Sequence, residues 1–219
     1  MKKYIEILKK CRLFEGVDEE SIYKMLGCMG AVVKNFSKNE VIFEEGISAT
    51  KIGILLSGSA LATDTDYFGN RNIFSKISPG ELFYDEFACS GAEQTPVSVI
   101  ACEDLSVMII DCSHILYTCH MCCSHHQTMI FNLMKNLAKK NLDFHRRVEA
   151  TSKRTTREKI ITYLVSEAKR AGKPSFDIEF DRQQLADYLE VDRSGLSSEI
   201  GKLCREGLIE NRKSRFTLL

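Results

Sequence analysis

Between Asp181 and Leu219 the apolar positions fall into two short sets: Leu185, Ala186 and Leu189, then Leu196, Ile200 and Leu203. Each set has the spacing that lines one face of a helix. Only Glu190-Val191-Asp192 separates them, which leaves room for a tight turn and nothing longer. The pattern predicts a helix, a turn and a second helix whose apolar faces pack together. Asp181 and Asp192 stand where N-caps are needed, and Gly207 stands where the second helix must stop. Leu208-Ile209-Glu210 and Arg215-Phe216-Thr217-Leu218 flank a polar turn, Asn211-Arg212-Lys213-Ser214, which predicts a small hairpin. A helix-turn-helix followed by a basic hairpin has the layout of a winged DNA-binding module. A plain helical subdomain with a hairpin is the simpler alternative; the whole constellation favours the module.

Upstream, the period changes twice. Residues 1–35 look helical, with Ile5, Leu8, Leu13 and Phe14, then Ile22, Met25 and Leu26 on one side, and Asp18-Glu19-Glu20 suits a helix start. From Val32 to Ile110 short apolar runs recur, among them Val41-Ile42-Phe43, Ile52 to Leu56, Ile73-Phe74, Val97 to Ile100 and Val107 to Ile110. Glu45-Gly46, Ser57-Gly58, Gly69-Asn70 and Ser78-Pro79-Gly80 punctuate them. Many short strands at even spacing predict an antiparallel β-barrel or jelly roll.

The helical period then returns from about Cys123. Ile130, Met134, Leu137, Asn141, Phe144 and Val148 follow heptad spacing, with Asn141 as a lone polar residue that can fix register. A seam of this kind fits the same helix of a second subunit better than a flat sheet. Thr155 or Thr156 can cap a further helix carrying Ile160, Ile161, Leu164 and Val165, which ends at Lys173-Pro174-Ser175. Phe176 to Phe180 alternates as a short strand. The expected class is α+β: a sensor β-barrel with N-terminal helices over 1–122, a dimerisation helix over 123–150, and a winged helix-turn-helix over 151–219.

Charge sharpens this picture. The net charge of the 219 residues is zero, but residues 134–173 carry 12 Lys+Arg against 4 Asp+Glu, while residues 1–133 carry 11 against 17. Basic charge just upstream of the helix-turn-helix is where a protein gripping phosphates would place it; a solvated helix face is the plainer account. No apolar run approaches a membrane span. The N-terminus reads as an amphipathic helix rather than a signal peptide. Nine cysteines without a secretion signal point to reduced thiols in a cytoplasm.

The order barrel, long helix, winged helix-turn-helix resembles the Crp/Fnr family of bacterial transcription regulators over nearly the whole chain. The residues that carry the resemblance are Arg182-Gln183-Gln184-Leu185-Ala186-Asp187-Tyr188-Leu189, Val191-Asp192-Arg193-Ser194-Gly195-Leu196-Ser197 and Glu206-Gly207-Leu208-Ile209. Ile42-Phe43-Glu44-Glu45-Gly46, Ile54-Leu55-Leu56-Ser57-Gly58-Ser59 and Ser152 to Lys159 add to them. The resemblance implies a homodimer, double-stranded DNA with a pseudo-palindromic operator, and RNA polymerase as partners. It does not imply catalysis. Cupin-type metallo-oxygenases share the jelly roll, but they need histidines on the strands, and Val32 to Ile110 contains none. A protein-binding module with a degenerate winged helix is disfavoured by the basic residues Arg193, Lys202, Arg212 and Lys213.

The departures from the family bear on the signal. Cyclic-nucleotide-binding relatives carry Gly-Glu for the ribose and Arg-Ser or Arg-Thr for the cyclic phosphate. Tyr84-Asp85 and Thr95-Pro96 align with those positions. The effector-pocket candidates are therefore Glu81, Tyr84, Asp85, Thr95 and Pro96. The barrel strands offer no Arg or Lys after Lys76, so a buried phosphate would lack a cation. Cyclic AMP is the unexpected effector, and the signal is left open. The closely spaced N-terminal cysteines of the iron–sulfur branch are missing, since only Cys11 and Cys28 occur there. A different group, Cys119, Cys122, Cys123 and His126, has soft-metal ligand types at helical spacing. A metal-, haem- or redox-responsive input is the alternative; core cysteines and surface histidines are the plainer account.

For the output, Arg193, Ser194, Ser197 and Ser198 occupy one outward arc of the second helix and are expected to face base edges. Lys202, Arg212, Lys213, Arg154 and Arg157 are expected to hold phosphates. Relatives often carry Arg where Ser198 stands, so the operator is expected to differ from theirs.

Overall fold

The computed structural model describes residues 2–116 and 124–219. By its internal contacts the chain divides into two units, Met1–Asp64 with Ser75–Lys140, and Thr65–Phe74 with Asn141–Leu219. No helix among the described residues is long and apolar enough to cross a membrane.

The first unit begins with short helical pieces: α1 (Ile5–Leu8), a 3-10 turn at Arg12–Phe14, and α2 (Glu19–Cys28). Asp18 caps α2 by accepting from the Ser21 amide. Eight strands follow, with the last residue of β4 and the first four of β5 counted in the second unit: β1 (Val32–Phe36), β2 (Val41–Phe43), β3 (Lys51–Ser57), β4 (Ala60–Thr65), β5 (Arg71–Ile77), β6 (Leu82–Phe83), β7 (Ser98–Ala101) and β8 (Leu105–Asp111). They form two four-stranded sheets, β1-β8-β3-β6 and β2-β7-β4-β5. This is the jelly-roll form of the expected architecture. Both sheets keep open edges, so the barrel is not closed. In β3 the run Ile52 to Leu56 is buried on both faces, as an uninterrupted apolar strand requires. Gly53 in it is obligatory, because a Cβ there would lie 2.3 Å from the Phe83 ring on β6. The jelly roll also holds two four-residue helices, α3 (Asp85–Ala88) and α4 (Ser113–Leu116).

The long helix α5 runs from Ser124 to Thr151. Its buried positions Met129 and Leu133 join the core cluster of α1, α2, β3 and β8. Asn132, also buried, donates through Nδ2 to the carbonyls of Leu13 (3.2 Å) and Glu15 (2.8 Å). Other apolar side chains of α5 are exposed within one chain: Phe131, Met134, Leu142, Phe144 and Val148.

In the second unit α6 (Thr156–Ala171) starts in a full capping box between Thr155 and Glu158 and ends at Gly172 in the left-handed region. Strand β9 (Ser175–Asp177) leads to α7 (Arg182–Leu189) and α8 (Arg193–Arg205). Strands β10 (Ile209–Arg212) and β11 (Arg215–Leu218) complete an antiparallel sheet of order β10-β11-β9. Ile160, Leu164, Phe176, Leu185, Leu189, Leu196, Ile200, Leu203 and Phe216 make its core. The hairpin is tighter than the sequence predicts. Asn211 and Arg212 belong to β10, and Lys213-Ser214 alone make the turn, with Lys213 at φ 55°.

Candidate nucleic-acid interface and effector region

The exposed arc of α8 is built by its start. Asp192 accepts from the Gly195 amide at 2.7 Å and from the Ser194 hydroxyl. These two bonds, the hydroxyl's first, hold the Asp192 carboxyl below the ordinary carboxylate range. Leu196, Ile200 and Leu203 are buried, which leaves Arg193, Ser194, Ser197, Ser198 and Lys202 exposed. The four expected base readers therefore share one accessible surface, with the Ser194 hydroxyl also engaged at the cap. Arg205 is exposed on the same helix and was not selected by sequence pattern, because it falls where a C-terminal helix charge is expected anyway.

The expected phosphate contacts divide. Arg154, Arg212 and Lys213 are exposed around the same unit. Lys202 lies 3.0 Å from Glu199. Arg157 is committed further, with Nη1 3.0 Å from Glu206 and 3.3 Å from Glu199. Its charge is compensated before any phosphate arrives, and its position ties the first turn of α6 to α8.

The turn between α7 and α8 is held from outside. Glu190 takes a left-handed conformation (φ 54°), and its carboxylate accepts from buried Arg147 on α5 at 2.9 Å. The Arg147 guanidinium also lies 5.6 Å from the centre of the Tyr188 ring. Lys159 on α6 donates to the carbonyls of Leu189 (3.1 Å) and Glu190 (3.3 Å), which the end of α7 leaves without helical partners. Arg147 and Lys159 read as solvated basic residues in sequence; no local signal marks them as anchors of the recognition element.

The effector-region candidates do not converge on one pocket. Tyr84 is buried, sits at φ 67°, and stacks on Phe43 with ring centres 4.3 Å apart. Its hydroxyl donates to Thr95 Oγ1 at 2.7 Å, and the Thr95 hydroxyl is 3.2 Å from the carbonyls of Glu44 and Ile47. Burial raises the Tyr84 phenol despite the bond to Thr95. Tyr84 and Thr95 are thus buried and bonded directly to each other. Glu81 is exposed and accepts from the Ser78 amide at 2.9 Å. Pro96 is exposed.

Asp85 is fully buried and turns toward α5. Asn136 Nδ2 donates to it at 2.9 Å, and Lys140 Nζ donates to its other oxygen and to Glu86. The expectation that this region lacks a cation is therefore corrected: Lys140 supplies one from beyond the strands. Burial alone would lower the Lys140 ammonium, but Asp85 and Glu86 more than offset it and its pKa is raised. That cation is engaged by two carboxylates of the chain itself.

Cys119, Cys122 and Cys123 lie outside the described residues. Of the proposed soft-metal group His126 is described; it is buried, and its Nε2 has no hydrogen-bond partner among the described residues. No group of three or more potential metal ligands occurs among the described residues.

Two family models match the chain. Residues 33–120 match the cyclic nucleotide-binding domain and residues 158–219 the Crp-like helix-turn-helix domain. No curated protein matches it in sequence. Among solved structures it resembles the c-di-GMP responsive global regulator CLP of Xanthomonas campestris, at 16% identity and TM-score 0.71, over 92% of this chain and 99% of that one. A CooA mutant from Carboxydothermus hydrogenoformans aligns at 14% identity and TM-score 0.71, over 90% and 85%. FixK2 from Bradyrhizobium japonicum aligns at 18% identity and TM-score 0.65, over 86% and 92%. At these identities the likeness to the three structures is one of fold.

Proposed function

Since the chain belongs to the Crp/Fnr family of transcription regulators, we propose that it is a homodimeric, sequence-specific DNA-binding protein of the cytoplasm whose effector is not cyclic AMP. The observation that carries the reading is the α8 arc: Arg193, Ser197 and Ser198 exposed at the start of a helix whose other face is buried. A helix of this kind enters the major groove by its N-terminal end. Arg193 is the bidentate guanine reader, and the serines serve more than one base. Arg154, Arg212 and Lys213 are the phosphate contacts, with Lys202 once Glu199 releases it; Arg157 is assigned to holding α6 against α8. Two copies join along the uncovered face of α5. RNA polymerase is the further partner that this reading implies.

Selection from random DNA with the full chain tests it. On the selected site Arg193→Ala should cost about 1–3 kcal/mol and relax one base pair, whereas Lys213→Ala should weaken all sequences alike and lower the salt slope by about one. Equal weakening of selected and random DNA by Arg193→Ala would remove Arg193 as a base reader. Recovery of no consensus would remove the function itself.

A second input has one observation on its side. His126 is buried, its Nε2 has no hydrogen-bond partner among the described residues, and in sequence it stands beside Cys119, Cys122 and Cys123. Metal analysis and an absorption spectrum of anaerobically purified protein separate this reading from the first; a colourless, metal-free protein discards it.

A further inference from the structure

Cys89 directly follows α3 as its C-cap, and Cys112 directly follows β8. Their sulfurs lie 3.4 Å apart. Both residues are anchored by their backbones: the Cys89 amide donates to the Asp85 carbonyl and the Cys112 amide to Thr50, each at 2.9 Å. A disulfide needs the sulfurs at about 2.05 Å, so closure asks for little more than about 1 Å of movement. Cys112 is buried in the core and Cys89 is partly open. We propose that Cys89 and Cys112 form a reversible dithiol–disulfide site whose oxidant is a small hydroperoxide.

The two thiols have unequal roles. The hydrogen bond shared with Cys112, in which either sulfur can donate, is the largest influence on Cys89 and lowers its thiol, against burial and the nearby carboxylates of Asp85 and Glu86. The same bond, with burial, pushes Cys112 far up. Cys89 is the more exposed of the two and so the one a peroxide can reach, which makes it the nucleophile and buried Cys112 the resolving thiol. The Cys89 thiolate attacks one peroxide oxygen, the O–O bond breaks, and the leaving oxygen takes a proton to depart as water or an alcohol. Cys89 is then a sulfenic acid. Cys112 attacks Cys89 Sγ, its proton joins the departing hydroxide, and a second water leaves as the S–S bond forms. Two thiols are oxidised by two electrons and one hydroperoxide is reduced. A dithiol reductant reverses the result by exchange. Cys11 shows the contrast: it is buried, and burial pushes it up to about 12, so it is an inert core thiol.

The site goes beyond the DNA-binding reading and is independent of Cys119 to His126. It lies in the first unit, on the element that also presents Asp85 to Asn136 and Lys140. Oxidation would tie α3 to the end of β8 and so constrain the element that holds α5.

The test uses the reduced full chain, one equivalent of hydrogen peroxide, alkylation of the remaining thiols, and mass spectrometry without DNA. No Arg or Lys lies between Lys76 and Lys135, so both cysteines fall on one tryptic peptide. Cleavage after Glu103 and after Leu116 places Cys89 and Cys112 on separate peptides, apart from Cys119. The expected product is a Cys89–Cys112 crosslink, with seven of the nine thiols still alkylated and full reversal by dithiothreitol. In Cys112→Ala, Cys89 should stop at the sulfenic acid and be captured by dimedone. Cys89→Ser, at a half-buried position, should abolish the crosslink whether or not Cys112→Ala folds. Alkylated Cys89 and Cys112 beside oxidation at other cysteines would overturn the proposal, as would a crosslink formed only in denaturant. None of these readouts depends on DNA binding, so the proposal and the proposed function can fail separately.

Discussion

Asp85 is fully buried, and side chains of α5 claim both of its oxygens: Asn136 at 2.9 Å on one and Lys140 on the other. One residue earlier, the Tyr84 hydroxyl is spent on Thr95. A cyclic phosphate entering here would have to displace Tyr84 and compete with two carboxylates for Lys140. Separating a buried ion pair costs several kcal/mol unless a new partner replaces it in good geometry. Calorimetric titration with cyclic AMP or cyclic GMP is therefore expected to show no saturable heat at micromolar protein. A dissociation constant tighter than about 10 μM, roughly −7 kcal/mol, would show that the cluster opens and that this reasoning is wrong. The departure from the nucleotide-binding pattern at Tyr84-Asp85 and Thr95-Pro96 was legible in the sequence, because single positions can be compared one by one. Lys140 was not: it pairs with a residue 55 positions away and sits beside Lys139 in a basic stretch that looks solvated. The same holds for Cys89 and Cys112, 23 positions apart, which only the fold brings together.

Among the elements, α5 shows what periodicity can and cannot deliver. Heptad spacing selects Ile130, Met134, Leu137, Asn141, Phe144 and Val148, of which Met134, Asn141, Phe144 and Val148 are exposed in one chain. Leu137 is partly buried against the core of its own chain, so it does not report on a partner alone. Phe131 and Leu142 widen the stripe at 54% and 57% exposure. An apolar face of this extent, exposed among the described residues, is the surface the proposed dimer would use. The discriminating variant is Met134→Lys with Phe144→Lys, both 55% exposed in one chain, so the protomer fold should survive. Around a two-fold axis each lysine meets like charge in an apolar seam, and sedimentation should show monomer where the parent is dimer. A dimer of unchanged affinity would move the interface off α5. The helices were the legible elements, because their caps and stops are local: Thr155 with Glu158, Asp181 with Gln184, and Asp192 with Gly195. Strands β1 and β6 were missed. The first is an edge strand with Lys34 and Asn35 in it; the second is two residues long and is specified by its partner β3. The wing turn is shorter than the polar run predicts, since Asn211 and Arg212 are polar yet paired with Phe216 and Arg215.

At the level of the whole molecule, zero net charge conceals a basic stretch over residues 134–173, with 12 cations against 4 anions. The structure revises how that stretch is used. Lys140, Arg147, Arg157 and Lys159 make intramolecular contacts. If the proposed DNA contacts hold, electrostatic attraction falls more heavily on Arg154, Arg193, Arg212 and Lys213, and non-specific binding should be weak for a protein with so basic a segment. On the proposed reading, affinity comes from two copies bound at once to a symmetric site. A two-fold dimer places its recognition helices in successive major grooves, so the half-sites should lie about one helical turn apart, roughly 10–10.5 bp centre to centre. Inserting about 5 bp between the half-sites turns the second onto the opposite face of the duplex, where a rigid dimer cannot reach it. Binding should fall toward the non-specific level, a loss of about a thousandfold or more at fixed salt. Insertion of a full turn restores the face but not the distance and should leave binding weak as well. If both inserted operators bound as tightly as the parent site, the two copies would be acting independently, and the α5 seam would not be what sets the spacing of the recognition helices.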